Sequence, residues 1–224
     1  PHSVETAFPG FSGKPIENMT RSGIAVSTDR VNWQHKFWAT PADLDDRDVI
    51  LFPEKIDGHF WMLRRPLQWV GEKYGTERSG IWITSSPDLI NWTESTLLAK
   101  PAFNWESGRI GGSTPPIKTS KGWLVLYHGV DEEYPPTRRV IYRVGAMMLD
   151  LHNPRKVLAR TRDFIMEPET YYEKFGLYIP NVVFPTANVV KDGEIYLYYG
   201  VCDTAIALAT APLEALVEHV MNYA

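Results

Sequence analysis

Two basic side chains stand at the ends of apolar stretches, where a folded chain can present them to a ligand. Arg65 ends a stretch that begins at Phe60, and His128 ends one that begins at Trp123. A guanidinium group binds an oxyanion through paired hydrogen bonds, so several such ends together could form an anion site. A strand-end arginine also commonly forms a surface salt bridge, and a strand-end histidine commonly packs against its neighbours. The choice depends on the elements that position these side chains.

Other kinds of site find little support in the sequence. The single cysteine, Cys202, excludes a disulfide within the chain and a cysteine-rich metal site. No phosphate-binding glycine loop, dinucleotide fingerprint, zinc spacing or Ser-His-Asp arrangement stands out. A net charge of −4 without a basic run argues against a nucleic-acid partner. No apolar stretch approaches the ~20 residues that cross a bilayer, so no membrane partner is predicted.

The chain repeats itself. A Ser-Gly-Ile strand signal followed by a turn with Asp and then Asn-Trp occurs at 22–33 and again at 79–92, with weaker copies at 144–150 and 204–209. A second unit alternates with it at 52–63, 115–127 and 184–199, and each copy consists of a strand, a turn with glycine and a second strand. The Asp-Gly pairs at 57–58 and 192–193 predict tight hairpin turns.

The two alternating units predict a β-propeller. Glycine-to-glycine spacings run from about 57 residues (Gly23 to Gly80) to about 71 (Gly122 to Gly193), and each period holds two hairpins, hence four strands. A β-sandwich would not produce this two-part period. At about 62 residues per blade, the 224 residues hold roughly three and a half to four blades. We therefore expect one all-β domain over 1–224, N-terminally incomplete, with a short helix or turn at 212–222.

More specific stretches resemble glycoside hydrolase family 130. They follow the family order from about Ser22 to Pro212, and they include 47–55 with Arg65-Pro66, 108–112 with Pro115-Pro116, 122–129, 142–146, 180–185 and 198–204. That family consists mainly of inverting β-mannoside phosphorylases, with a minority of hydrolases. The resemblance implies a five-bladed propeller with a central funnel-shaped site, one Asp as general acid, phosphate as co-substrate and attacking nucleophile, and no metal or organic cofactor.

The family's general acid lies in an Asp-Pro-Arg motif upstream of the Ser-Gly-Ile strand. This chain has no counterpart, since Asn153-Pro154-Arg155 falls in the wrong blade. The resemblance thus places the acid upstream of residue 1 and leaves no catalytic residue to assign within the chain.

The resemblance assigns phosphate binding to a set of five side chains: Arg47, Arg65, Arg109, His128 and Tyr142. The position of Arg109 is often Lys in the family, and the exchange keeps the charge. Taken singly, Arg47 could be a solvated loop charge, and Arg109 could point outward from its glycine-rich loop. Arg65 and His128, however, end equivalent hairpins, so a propeller would direct both to one rim.

The resemblance suggests that Asp203 binds mannose. Glu54 is a second candidate for substrate binding, although it could instead pair with an arginine of the pocket. Four aromatic residues are candidates for stacking on sugar rings: Trp61, Trp69, Tyr171 and Tyr172. Flat rings pack well against pyranose faces, but more than half of the aromatic residues must form the cores of the blades.

These observations favour phosphorolysis of a terminal β-mannoside, with inversion to α-mannose 1-phosphate. The expected partners are a β-mannoside oligosaccharide and phosphate. A homo-oligomer and a cytoplasmic location are compatible with the sequence, which contains a single thiol. Two alternatives stay open: an inverting β-mannosidase of the same family, which needs a second carboxylate to activate water, and a non-catalytic carbohydrate-binding propeller.

Overall fold

The computed structural model describes residues 2–3, 20–133, 139–177 and 179–224. Within them the strands are β1 His2–Ser3, β2 Thr20–Arg21, β3 Gly23–Val26, β4 Gln34–Trp38, β5 Asp46–Leu51, β6 Phe60–Pro66, β7 Ile81–Ser86, β8 Thr96–Ala99, β9 Arg109–Gly112, β10 Ile117–Thr119, β11 Gly122–Glu133, β12 Arg139–Leu149, β13 Val157–Arg160, β14 Val183–Lys191, β15 Glu194–Val201 and β16 Ala205–Pro212. The helical segments are two 3-10 turns, Glu72–Tyr74 and Asn104–Glu106, and two α-helices, α1 Tyr171–Lys174 and α2 Leu213–Met221.

The strands form consecutive antiparallel sheets in which neighbours in sequence are neighbours in space. β3 pairs with β4 (first blade), β5 to β8 form a four-stranded sheet (second blade), and β14 to β16 form a three-stranded one (fourth blade). In the third blade β11, β12 and β13 pair in order, while β9 and β10 both pair with β11 and share one strand position. This succession confirms the predicted all-β class with four strands to a complete blade.

Both predicted Asp-Gly hairpin turns are present. Asp57 and Gly58 have φ angles of 49° and 78°, and Asp192 and Gly193 have angles of 52° and 81°. Two consecutive residues with positive φ are typical of the type I′ turn, whose twist matches that of the flanking strands. These turns connect β5 to β6 and β14 to β15, and so fix the register between the two strands of each hairpin.

Apolar layers hold the blades together, and β11 contributes to two of them. Trp123, Val125 and Tyr127 face the core that the third blade shares with the second, whereas Leu124 and Leu126 face the core shared with the fourth. This alternation explains why β11 reads as one continuous apolar run, since both faces of its sheet are covered. All five side chains are almost completely buried, and burial of a large apolar side chain contributes about 1.5–3 kcal/mol.

In the region 212–222, where the sequence predicts a short helix or turn, the chain forms α2. Val217 and Val220 are its buried residues, and they pack in the layer between the third and fourth blades. The four-residue helix α1 precedes the fourth blade. No helix among the described residues is long and apolar enough to cross a membrane.

The strand pairings place equivalent strand ends at one edge of the sheets, which we call the upper rim. Arg47 at the start of β5 pairs with Arg65 at the end of β6, and Arg109 at the start of β9 pairs with Val130 late in β11. The start of β14 likewise pairs with the end of β15. The two Asp-Gly turns lie at the opposite, lower rim. Polar and charged side chains from three blades can therefore converge at the upper rim.

Candidate active site

A β-bulge at the start of β5 directs a carboxylate out of the regular strand pattern. Arg47 pairs with Arg65 and Ile50 pairs with Leu63, so two residues of β5, Asp48 and Val49, stand opposite a single residue of β6. Asp48 has a φ of 53°, a left-handed conformation that non-glycine residues seldom adopt. The bulge breaks the simple alternation of side chains along β5 and gives Asp48 an orientation of its own.

The Asp48 carboxylate lies between side chains of the second and third blades. Its Oδ2 atom accepts a hydrogen bond from Nε of Arg65 at 2.5 Å, and Nε2 of His128 lies 3.4 Å from the same oxygen. Gly111 of β9 makes room for this contact, because a Cβ atom there would overlap the carboxylate and lie 2.7 Å from Cε1 of His128. Arg65 and His128, which the sequence directs to one rim, meet on this carboxylate.

A second ionic group adjoins the first. Arg109 pairs with Glu132 and donates a hydrogen bond to the Tyr142 hydroxyl at 2.6 Å. The Phe184 ring, from the fourth blade, lies 4.7 Å from the His128 ring and 6.2 Å from the Tyr142 ring, measured between centroids. The second and third blades thus bring the five predicted phosphate residues together at the upper rim, and Phe184 of the fourth blade packs against two of them.

A cavity of about 330 Å³ opens beside Asp48, and its lining includes Arg47, Asp48 and Ser113. The Arg47 side chain is 38% exposed and forms an ion pair with Asp45 at 2.9 Å. Arg65 and His128 are not among the lining residues, and their side chains are only 6% and 1% exposed. They therefore reach the cavity through Asp48, whose carboxylate stands between them and the open space.

Burial and charge set the protonation states of this group. Burial lowers the pKa of His128 to about 4, so the imidazole is neutral at neutral pH. Burial alone would raise the pKa of the Asp48 carboxyl, but the surrounding positive charge, first that of Arg65, holds it below its usual value. Asp48 is therefore ionised. Each guanidinium group has a carboxylate partner, in the pairs Arg47–Asp45, Arg65–Asp48 and Arg109–Glu132.

The two predicted substrate-binding carboxylates lie apart from each other. Asp203 is exposed in the turn between β15 and β16, at the upper rim, with a φ of 52°. Glu54 follows β5 toward the lower rim, where it is exposed and pairs with Lys118 rather than with an arginine. The sugar-binding role of Asp203 stays a prediction, and the position of Glu54 separates it from the cluster around Asp48.

The aromatic candidates differ in exposure. Trp61 is buried in the core between the second and third blades, whereas Tyr171 and Tyr172 on α1 are exposed. Trp69 stacks on Tyr74 with the ring centroids 5.9 Å apart. Trp61 is thus a core residue, while the other three remain candidates. Among the described residues, no group of three or more His, Cys, Asp or Glu side chains is arranged to hold a metal ion.

Sequence reasoning missed the residue at the centre of the site. Asp48 and Gly111 both occur in the stretches that carry the family resemblance, but neither receives a role there. Ser113, whose hydroxyl lies 3.2 Å from Nδ1 of His128, and Glu132, the partner of Arg109, were also missed. The sequence signal that could have pointed to these residues is the repeated occurrence of polar residues near the strand ends of the upper rim.

Comparison with known proteins identifies the family of the chain. Residues 26–222 match the model of glycoside hydrolase family 130, described as β-1,4-mannooligosaccharide phosphorylase. The chain belongs to this family. It is 42% identical over 203 residues to a 1,2-β-oligomannan phosphorylase of Thermoanaerobacter sp. strain X514, covering 90% of this chain and 62% of that protein. It is 35% identical over 180 residues to a β-1,4-mannooligosaccharide phosphorylase of Ruminococcus albus, covering 80% of this chain and 51% of the relative.

Solved structures of family 130 proteins share the fold. The structure of β-1,2-mannobiose phosphorylase from Listeria innocua, in complex with β-1,2-mannobiose, superposes with a TM-score of 0.75 at 35% identity, covering 88% of this chain and 52% of that one. A second structure, titled for family 130 hydrolases that target β-1,2-mannosidic linkages in Candida mannan, superposes at 0.72 with 23% identity, covering 88% of this chain and 59% of that one, and shows the fold alone. The family's five-bladed propeller confirms the predicted architecture. The chain spans between about half and about three fifths of these relatives' lengths.

Proposed function

We propose that the protein is a β-mannoside phosphorylase. In the proposed reaction, an oxygen of inorganic phosphate attacks the anomeric carbon of a terminal mannosyl unit and forms the new C–O bond. The bond from that carbon to the leaving oxygen breaks with inversion, which gives α-mannose 1-phosphate. The observation that supports this proposal best is that Arg47, Arg65 and Arg109 come together at the upper rim, beside a cavity that Arg47 lines.

The cluster suits a phosphate nucleophile because its donors are held in place before the ligand arrives. Tyr142 and Glu132 orient Arg109, and Asp45 orients Arg47. Preorganised donors need little rearrangement when an anion binds, and guanidinium groups match phosphate oxygens with paired hydrogen bonds. Phosphate held in this way would approach the sugar from one side, while the leaving oxygen departs on the other.

The proton for the leaving oxygen must come from a general acid. The family resemblance assigns this role to an aspartate of an Asp-Pro-Arg motif, which residues 1–224 do not contain in the corresponding position. We accordingly assign the chain the phosphate side of the reaction and assign the general acid to none of its residues. No metal or organic cofactor enters the proposed mechanism.

A hydrolase would use water instead of phosphate and would need a carboxylate base whose pKa lies near the working pH. Among the lining residues that the structure describes, Asp48 is the carboxylate, and its pKa is held below the usual value. A carboxylate that is held by an arginine hydrogen bond and lowered in pKa is a weak base, and this pairing with Arg65 favours the phosphorylase over the hydrolase.

The names of the relatives guide the choice of substrate. Relatives 42% identical to the chain are named for β-1,2-linked mannosides, and one at 35% is named for β-1,4-linked mannooligosaccharides. We propose β-1,2-mannobiose as the first substrate to test and a β-1,4-linked mannobioside as the second.

The test measures initial rates of mannobiose cleavage by the full-length protein over a range of phosphate concentrations. The wild-type rate should rise with phosphate and saturate. Arg47→Ala should raise KM for phosphate by about 10- to 100-fold, the effect of losing a charged hydrogen-bonding partner. Arg155→Ala is the matched control, because Arg155 packs over Trp61 toward the lower rim. A cleavage rate independent of phosphate would refute the proposal.

A further inference from the structure

The anion site contains a feature that simple anion binding does not need. Asp48, an ionised carboxylate, lines the same cavity as Arg47. A negative charge at that position repels any anion, and a site that only had to attract phosphate would present donors alone. The fold nevertheless accommodates this carboxylate at some cost, since Asp48 occupies a β-bulge with positive φ and Gly111 must lack a side chain to make room for it.

The two carboxylate oxygens of Asp48 have different surroundings. Oδ2 carries both described contacts, the hydrogen bond from Arg65 at 2.5 Å and the approach of Nε2 of the neutral His128 at 3.4 Å. Within the described part of the chain, Oδ1 takes no hydrogen bond and no ion pair. Asp48 lines the cavity and keeps 11% of its side chain exposed. One oxygen is thus fixed by its protein partners while the other is available to a ligand as an acceptor.

An ionised carboxylate can only accept hydrogen bonds, so it favours ligands that carry a proton. Inorganic phosphate at neutral pH keeps at least one P–OH group, whereas sulfate, of the same shape and similar size, keeps none. Facing Asp48, a phosphate donates its P–OH hydrogen and a sulfate presents only oxygen atoms that repel the carboxylate. The Asp48 carboxylate therefore strengthens the binding of phosphate and weakens the binding of sulfate.

We propose that Asp48 makes the site selective for protonated oxyanions, accepting a hydrogen bond from the P–OH group of phosphate and rejecting sulfate. This inference rests on the proposed phosphorylase function and adds a residue that determines which anion serves as co-substrate. Arg65 acts as a positioning residue in this arrangement, because its hydrogen bond holds Oδ2, and the buried His128 ring packs beside the same oxygen.

The wild-type protein provides the first test, on full-length enzyme with β-1,2-mannobiose. Arsenate retains a proton at neutral pH, as phosphate does, and should compete with phosphate at comparable concentrations. Sulfate should require at least about tenfold more, which corresponds to the loss of one charge-assisted hydrogen bond. Sulfate that competes as well as arsenate would overturn the inference.

Asp48→Asn provides the second test, because the amide has the same shape but can donate a hydrogen bond. The ratio of the sulfate inhibition constant to the phosphate KM should fall at least about tenfold in this variant. Asp45→Asn is the control, since Asp45 pairs with Arg47 but is not a lining residue of the cavity, and its ratio should stay at the wild-type value. A purely structural role of Asp48 would weaken both anions alike, leave the ratio unchanged and contradict the proposal.

Failure of this inference is distinguishable from failure of the proposed function. If the wild-type enzyme forms product only with phosphate but sulfate competes equally with arsenate, the selectivity role of Asp48 is wrong and phosphorolysis stands. If product forms at the same rate without phosphate, the proposed function is wrong, and the role of Asp48 falls with it.

Discussion

A single added methyl group at Gly111 should disturb both the stability of the protein and its phosphate affinity. An added Cβ atom at Gly111 would overlap the Asp48 carboxylate and lie 2.7 Å from Cε1 of His128 and 2.9 Å from Nε of Arg65. Carbon atoms in contact normally lie about 3.5–4.0 Å apart. Gly111→Ala would therefore push three buried or nearly buried groups apart, from the two blades that build the site.

The expected cost follows from these contacts. Overpacking of a close-packed interior costs about 1–3 kcal/mol, and separation of a buried charge from its partner costs up to about 3–5 kcal/mol. The lower chain entropy of alanine in the unfolded state offsets about 0.4–1 kcal/mol. We expect Gly111→Ala to lower the free energy of unfolding by about 3–5 kcal/mol and to raise KM for phosphate, because Asp48 and Arg65 lose their alignment.

The assay is urea unfolding of the full-length protein, followed by tryptophan fluorescence. Gly200→Ala is the matched control, since an added Cβ atom in that strand would meet only the carbonyl oxygen of Phe184 at 3.8 Å, an ordinary contact distance. This variant should stay within about 1 kcal/mol of wild type. If the two alanine variants unfold at the same urea concentration, the close packing of Gly111 against the Asp48 carboxylate is wrong.

Two further predictions concern charge. Glu106→Gln should lower the free energy of unfolding by about 3–5 kcal/mol, because Glu106 is fully buried and pairs with Arg160 at 2.6 Å. The control is Lys118→Ala, which removes the exposed partner of Glu54. It should cost less than about 1 kcal/mol in the same urea titration. The pKa of His128, lowered to about 4, means that the unfolded chain binds its proton near pH 6.5 while the folded chain does not. The free energy of unfolding should therefore be retained above about pH 6.5 and fall by up to ~3 kcal/mol toward pH 4. Urea titrations of His128→Gln should show a shallower loss over that range. An unchanged slope would contradict a buried neutral imidazole.

The sequence predicts the blades because their signals are local and repeated. The pair Asp57-Gly58 predicts a tight turn because these residue types tolerate positive φ, and both adopt it. The apolar run of β11 predicts a strand that is buried on both faces, and both faces are indeed covered. The convergence of Arg65 and His128 was predictable for the same reason, since equivalent hairpins end at the same rim.

The role of Asp48 was not predictable, because it depends on a bulge and on contacts distant in sequence. Regular alternation along β5 would place Asp48 and Arg47 on opposite faces, but the extra residue in the strand lets both line one cavity. The burial of His128 and the paired state of Glu54 likewise depend on neighbours from other strands. The local sequence carries no signal for such contacts.

The most direct test of the proposed phosphorylase is the identity of the product that the full-length protein forms from β-1,2-mannobiose. With phosphate present, phosphorus NMR should show α-mannose 1-phosphate and proton NMR should show one equivalent of free mannose, and without phosphate neither should form. Free mannose as the only product, released at the same rate with and without phosphate, would contradict the assignment of the arginine cluster to a phosphate nucleophile.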